Sequence, residues 1–171
     1  VQFMSADDEI IDTDALAERA RVKGAVTEIA TTATTLLKMG DDILVCKSIF
    51  GATHTLLEKV MVKFGITHTN VELHDTANWH KYNKPNTKML FVETPTNPTL
   101  DLLDLEWVGK FTKQHNLIFN IDNCFATPII QTPVDYGADI IIHSATKFLD
   151  GQGRTMGGIV LGRKDLIKDV Y

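Results

Sequence analysis

Short apolar runs alternate with segments of helical spacing through most of this chain of 171 residues. The run "DILVC", for example, has the length and composition of a buried strand, and "GATHTLLEKVMVKFG" after it has the apolar spacing of a helix. Strands that alternate with helices form a mostly parallel, buried sheet, because each helix carries the chain back to the start of the next strand. The alternation therefore predicts an α/β domain. The predicted strands cover residues 42–46, 68–73, 88–93, 117–122, 138–145 and 157–162, and the predicted helices cover 12–22, 26–40, 51–65, 102–116 and 163–170.

The composition narrows the classes of protein to which the chain can belong. Hydrophobic residues make up 44% and charged residues 23%, and a formal net charge of −5 without a Lys/Arg-rich run argues against a nucleic-acid partner. The two cysteines, Cys46 and Cys124, lie in apolar segments, which disfavours a disulfide framework or a zinc site and fits a reducing compartment. No apolar run is long enough to span a membrane, and the first ten residues are not typical of a signal peptide. We therefore expect a cytoplasmic protein without a membrane association.

Polar clusters follow three of the predicted strands. They read "TPTNPT" from residue 94, "DNCFATP" from residue 122 and "SATKFLDGQG" from residue 144. Each cluster alone is more simply interpreted as a turn, and His143 beside the third cluster as a packed strand-end side chain. Parallel strands, however, bring their carboxyl ends to one edge, where ligands of α/β sheets bind. Three clusters at one edge favour a ligand site.

The residue types in these clusters suit one particular cofactor. The hydroxyls of Ser144 and Thr146 could bind a phosphate, and Lys147 directly after them carries an amine that can form a Schiff base. Asp122, at the end of a central strand, could pair with a basic ring nitrogen and keep it protonated, so that the ring acts as an electron sink. A phosphate, an aldehyde and a basic ring nitrogen together predict pyridoxal phosphate.

Two other kinds of site have less support. The run "GQGRTMGG" resembles a dinucleotide fingerprint, but its glycine spacing is wrong and a strand follows it instead of a helix. The six histidines include no H-x-x-x-H or H-E-x-x-H pair, which disfavours a metal site.

Four motifs, in order, resemble those of the Cys/Met-metabolism family of fold-type I pyridoxal-phosphate enzymes. They are "FGATHTLL", "VETPTNP", "IDNCFATP" and "HSATKFLDGQG", and the resemblance covers roughly residues 27 to 171. It implies that residues 1–171 form the family's large cofactor-binding domain, a three-layer sandwich around a mostly parallel sheet. Members of the family are longer, so the resemblance also implies an N-terminal arm and a C-terminal small domain that this sequence lacks.

The resemblance assigns a role to each residue of the polar clusters. It implies that Lys147 is the Schiff-base lysine and that Ser144 and Thr146 bind the phosphate. Asp122 is then the partner of the pyridinium nitrogen, and Asn97 donates a hydrogen bond to the phenolic oxygen of the ring.

Two further sets of positions follow from the family pattern. Phe50 stands where the family stacks an aromatic ring on the cofactor, often a tyrosine. Phenylalanine there, together with Gln152 and Arg154, most resembles the O-succinylhomoserine sulfhydrylase branch. Ala25 and Val26 stand where a Ser-Gly-Met turn holds the phosphate with its backbone amides at a helix N-terminus. The preceding residues match the family poorly.

The resemblance therefore implies γ-replacement on an O-acylhomoserine by sulfide or a thiol, giving homocysteine or its thioether for methionine biosynthesis. It also implies a homo-oligomer, usually a tetramer, with its sites between subunits. Alternatives are a methionine or cystathionine γ-lyase, a cystathionine γ-synthase, or an inactive fragment of the cofactor domain. The sequence leaves the acyl group and the sulfur donor open.

Overall fold

The computed structural model describes residues 25–170 and forms an α/β domain with one six-stranded sheet. The predicted helix at 12–22 lies outside these residues. The strands are β1 (Asp42–Cys46), β2 (Thr67–Val71), β3 (Thr87–Glu93), β4 (Ile118–Asp122), β5 (Ile140–Ser144) and β6 (Gly158–Gly162). The α-helices are α1 (Ala25–Leu36), α2 (Gly51–Lys59), α3 (Leu105–His115), α4 (Thr127–Ile130) and α5 (Lys164–Val170).

The strand order is β2-β1-β3-β4-β5-β6, and every neighbouring pair except β5–β6 is parallel. The prediction of a mostly parallel sheet is therefore confirmed. The connection through α2 leads away from β3, whereas the connection through α3 leads away from β1. Right-handed crossovers in opposite directions place α2 and α3 on opposite faces of the sheet, which gives three layers. The strand order reverses between β1 and β3, and ligands of such sheets bind at the carboxyl end of that crevice.

The core lies on both faces of the central strands. All five residues of β1 and of β5 are buried, so neither face of these two strands is open to solvent. On one side α1 packs against α5, β5 and β6. Elsewhere the rings of Trp79, Trp107 and Phe111 pack together at centroid distances of 5.2–6.0 Å. No helix in the described part of the chain is both long and apolar enough to cross a bilayer.

Two predicted helices are shorter than their apolar pattern suggests. The helix predicted at 51–65 ends at Lys59, and a 3₁₀ turn, Met61–Phe64, follows it before Gly65 reverses the chain at φ +72°. β-branched Val60 weakens the helix at this point, and the tighter turn buries Met61. The helix predicted at 26–40 ends at Leu36, because the Asp41 carboxylate accepts a hydrogen bond from the Lys38 N–H.

Candidate active site

The carboxyl ends of β3, β4 and β5 lie side by side and bring the three predicted polar clusters to one edge. Glu93, the last residue of β3, is the register partner of Asp122, the last residue of β4. Ser144 ends β5, which pairs in parallel with β4. The prediction that these clusters share one sheet edge is therefore confirmed, and Phe50, which follows β1, belongs to the same edge.

Asp122 is a buried carboxyl group with few partners. The residue is only 5% exposed, and its side chain accepts a hydrogen bond of 2.9 Å from the Cys124 N–H. Burial raises the pKa of Asp122 above its usual range, and the hydrogen bonds from Cys124 oppose that effect. Among residues 25–170 no cation forms an ion pair with this carboxyl group. A buried acid of this kind suits a cation that a ligand supplies.

Glu93 is a second buried acid beside Asp122, and sequence reasoning missed it. Its Oε2 accepts a hydrogen bond of 2.6 Å from the Phe50 N–H, and the Asn97 N–H stabilises the same carboxylate. Burial, with the charge of Asp122 as the second cause, raises the pKa of Glu93 to about 8. The signal in the sequence was an acidic residue directly after the apolar run "MLFV" and directly before the "TPTNP" turn.

Lys147 lies in a short kinked turn, Ala145–Leu149, just after β5. Its backbone leaves helical geometry at φ −91° and ψ −125°, and its carbonyl accepts a hydrogen bond of 2.9 Å from the Gly151 N–H. The side chain is exposed, and its amine has no hydrogen-bond or ion-pair partner within residues 25–170. The turn therefore carries the Lys147 side chain beyond the buried end of β5.

The two predicted phosphate-binding hydroxyls lie at the start of this turn. Ser144 is buried, and its backbone N–H lies 2.8 Å from Sγ of Cys124. Thr146 is half-buried, and its Oγ1 accepts a hydrogen bond of 3.3 Å from the Gly157 N–H. The Thr146 hydroxyl keeps its proton for donation to another acceptor, as a phosphate would require.

The remaining predicted residues lie at turns and at a helix start. Phe50 is 43% exposed directly before α2, and Asn97 is half-buried in the turn after β3. Ala25 and Val26 lie at the start of α1, where their half-buried side chains pack against the core. Only the backbone amides of these two residues are therefore suited to a phosphate. Arg154 forms an ion pair with Asp150 at 3.3 Å.

A side-chain network braces the turns after β3 and β4. Nε2 of Gln131 donates hydrogen bonds to the Thr94 carbonyl at 2.9 Å and to Oδ1 of Asn123 at 2.6 Å. Asn123, which is fully buried, in turn donates to the Gln131 carbonyl at 3.1 Å. These contacts fix two loops of the candidate site relative to each other.

Among residues 25–170, no group of three or more His, Cys, Asp and Glu side chains is arranged to hold a metal ion. The residues that are present fit pyridoxal phosphate instead. Within the described part of the chain, Asp122 has no cation beside it and suits a protonated ring nitrogen, and the amine of Lys147 has no partner and suits an aldehyde.

Comparison with known proteins identifies relatives of this arrangement. The model of the family described as "Cys/Met metabolism PLP-dependent enzyme" matches residues 14–171. The chain is 45% identical over 135 residues to O-succinylhomoserine sulfhydrylase of Pseudomonas aeruginosa, covering 79% of this chain and 34% of the relative. The chain thus spans about a third of the length of this curated relative.

Solved structures show the same similarity. Cystathionine gamma-lyase from Lactobacillus plantarum, complexed with L-serine, superposes with a TM-score of 0.82 at 36% identity, over 88% of this chain and 39% of that one. A structure from Campylobacter jejuni that contains N'-pyridoxyl-lysine-5'-monophosphate has a TM-score of 0.80 at 31% identity, over 86% of this chain and 36% of that one.

Proposed function

Because the chain belongs to the Cys/Met metabolism family of PLP-dependent enzymes, we propose that it carries the cofactor site of an O-acylhomoserine sulfhydrylase. The single observation that supports a cofactor site most is the meeting of Asp122 and the Lys147 turn at one sheet edge. The reaction would exchange the γ-acyloxy group of an O-acylhomoserine for sulfide. O-acylhomoserine and hydrogen sulfide would give homocysteine and a carboxylic acid, and a thiol would give the thioether.

The cofactor supplies an electron sink when it is bound: its protonated ring withdraws electrons from the carbon next to the substrate nitrogen. We propose that Lys147 binds the cofactor covalently through Nζ. Once it is free, Nζ of Lys147 would remove the proton from the α-carbon of the substrate as a general base. Its exposed position and its lack of a partner within residues 25–170 support that role, because the amine is free to move.

The other predicted residues would bind and orient the cofactor. Asp122 would keep the ring nitrogen protonated, Asn97 would donate a hydrogen bond to the phenolic oxygen, and Phe50 would pack on the ring face. We propose that the phosphate is held by the hydroxyls of Ser144 and Thr146. The backbone amides of Ala25 and Val26 at the start of α1 would complete that set.

The choice of a sulfhydrylase rests on two observations. Phe50 lacks the hydroxyl that many γ-lyases and cystathionine enzymes carry at this place, and the relative with 45% identity is a sulfhydrylase. A γ-lyase is the second candidate, because the structural neighbour with a TM-score of 0.82 is a cystathionine gamma-lyase. Product analysis separates them: a sulfhydrylase forms homocysteine from O-acylhomoserine and sulfide, whereas a γ-lyase releases 2-oxobutyrate and ammonia.

We further propose a homotetramer in the cytoplasm. Apolar side chains after β3 and β4 are largely exposed, among them Leu102 at 71% and Ile129 at 82%, which supports burial against another surface. Both Cys46 and Cys124 are free thiols, which supports a reducing compartment.

Borohydride trapping tests the cofactor site directly. The intact protein is loaded with pyridoxal phosphate, reduced and digested, and the labelled peptide is mapped. We expect the label on Lys147 in the wild type and its loss in Lys147→Ala, with turnover reduced by about a thousandfold or more. Lys168→Ala, which changes an exposed lysine on α5, is the matched control and should keep the label on Lys147 and the turnover of the wild type. A wild-type protein that carries no label on Lys147 would contradict the proposal.

A further inference from the structure

One buried acid at the candidate site has no role in the proposal above. Glu93 is only 5% exposed, although it lies at the end of a strand that opens toward the site. A buried carboxyl group is retained at a cost in stability unless its hydrogen bonds compensate it. The partners of Glu93 therefore indicate what the residue is for.

Those partners belong to two separate turns. The Phe50 N–H, which donates to Oε2 at 2.6 Å, comes from the turn between β1 and α2. The Asn97 N–H, which stabilises the same carboxylate, comes from the turn after β3. Phe50 and Asn97 are far apart in the sequence, yet the backbone amides of both interact with the one Glu93 side chain. Each turn carries a residue that the proposed function places on the cofactor ring.

We propose that Glu93 is a positioning residue: its ionised carboxylate holds the Phe50 turn and the Asn97 turn in the single arrangement that binds the cofactor. This inference rests on the proposed function, because it takes Phe50 and Asn97 to be ring contacts. Glu93 itself touches neither substrate nor cofactor and acts through the two backbone amides.

The ionised form matters because two N–H groups need acceptors. A carboxylate offers two oxygens as acceptors, whereas a protonated carboxyl group uses one oxygen as a donor. Among the described residues, the titratable groups that face Glu93 are Asp122 on β4, Cys124 after it and Cys46 on β1. Asp122 carries the negative charge that opposes ionisation of Glu93, and none of these groups is a cation.

A cation bound at Asp122 would offset the negative charge of Asp122 and so make ionisation of Glu93 less unfavourable. The protonated ring of the cofactor is such a cation, so its binding favours the ionised form of Glu93 and thereby the closed arrangement of the two turns. Linkage is reciprocal: ionised Glu93 must then strengthen cofactor binding. The strength of binding should therefore depend on pH through Glu93.

Pyridoxamine phosphate is the suitable probe, because it binds without a covalent bond to Lys147. Its dissociation constant is measured from about pH 6 to about pH 9 for the intact wild-type protein and for Glu93→Gln, a range that spans the titration of Glu93. The ratio of the two constants cancels the titration of the probe itself. We expect binding to be about tenfold weaker in Glu93→Gln at the alkaline end, and nearly equal to the wild type at the acidic end.

Lys84→Met is the control, because it removes the ion pair of Lys84 with Asp42, a buried carboxylate at the opposite end of the sheet. The ratio of its dissociation constant for pyridoxamine phosphate to that of the wild type should not change with pH. A ratio for Glu93→Gln that is flat across the range would overturn the inference, and so would a Glu93→Gln protein that does not fold, since Glu93 would then be structural. Borohydride labelling of Lys147 in the same preparations separates the two proposals. A labelled protein with a flat ratio contradicts only the role of Glu93, whereas a wild type without label contradicts the proposed function.

Discussion

Carboxylates are buried at both ends of the sheet, and their surroundings differ. At the amino end, Asp42 is fully buried and accepts hydrogen bonds of 2.9–3.1 Å from the hydroxyls of Thr67, Thr69 and Thr87. Nζ of Lys84 adds an ion pair at 3.1 Å. At the carboxyl end, Glu93 and Asp122 are adjacent, and the described residues give neither of them a cation.

The difference separates a structural polar group from a functional one. At the amino end, side chains of the protein donate hydrogen bonds to the carboxylate of Asp42, which therefore links β1 to β2 and β3. At the carboxyl end two acids are held close together, and residues 25–170 provide no cation for them, an arrangement that lowers stability. Uncompensated acids of this kind are typical of functional sites, where a ligand supplies the missing charge.

The same conservative substitution should therefore have opposite effects at the two ends. Asp42→Asn removes the charge that four donor groups surround and should lower the free energy of unfolding by about 3 kcal/mol. Denaturant unfolding measures this loss. Asp169→Asn, at an exposed position of α5, is the control and should change little. An Asp42→Asn protein as stable as the wild type would show that the carboxylate at the amino end of the sheet does not stabilise the fold.

Asp122→Asn should act in the other direction on stability and strongly on function. At about pH 9, where an ionised buried acid is most unfavourable, the cofactor-free variant should be about 1 kcal/mol more stable than the wild type. Turnover should fall about a hundredfold, because an amide does not keep the ring nitrogen protonated. Unfolding of the cofactor-free protein and steady-state kinetics measure the two effects. Unchanged kinetics would argue against Asp122 as the ring partner.

Glu93 should make stability depend on pH. Its pKa is about 8 in the folded protein and near its ordinary value of 4.5 in the unfolded chain, so between these values the folded state binds the extra proton. The free energy of unfolding should then decrease as pH rises from about 5 to about 8, by up to about 1.4 kcal/mol per pH unit from this group alone. Glu93→Gln should flatten that slope. A slope that is identical in the variant would show that other groups set it.

The smallest effect is expected at the partner of Asp42. Lys84 is 48% exposed, so water screens its ion pair, and Lys84→Met should lower the free energy of unfolding by about 0.5 kcal/mol. Unfolding at low and high salt measures this contribution, since the wild type should lose the same amount in high salt. A loss as large as that of Asp42→Asn would mean that the lysine, and not the threonine hydroxyls, stabilises the carboxylate.

His143 and the strands could be predicted from the sequence, whereas the helix ends could not. The prediction of a packed strand-end side chain is confirmed, because the residue is 2% exposed and burial lowers its pKa to about 4. The predicted strands were also close to the observed ones, because apolar runs between turn residues mark buried strands directly. Helix ends were less predictable: α3 begins only after Asp104, whose side chain accepts a hydrogen bond from the Trp107 N–H.

The candidate site was predictable where single residues carry distinctive chemistry. Lys147 and Asp122 stood out by residue type and by position after a strand. Glu93 did not, because its significance depends on two backbone N–H groups and on the neighbouring strand, and neither is visible in a linear sequence. The brace between Gln131 and Thr94 was hidden for the same reason, since it joins turns that only the fold brings together.

The antiparallel strand β6 has a consequence for how this domain can diverge. Ser144 and Gly158 are register partners, and the Ala145 N–H donates to the Gly157 carbonyl at 2.8 Å, so the segment that carries Lys147 is a loop closed at its base. Inserted residues near Gly151 and Gly153 would lengthen only the outer part of that loop. Doubling the length of a flexible loop costs only about 0.6 kcal/mol. Descendants of this protein could thus acquire a new outer rim, and with it a new substrate preference, while the lysine stays at the same end of the sheet.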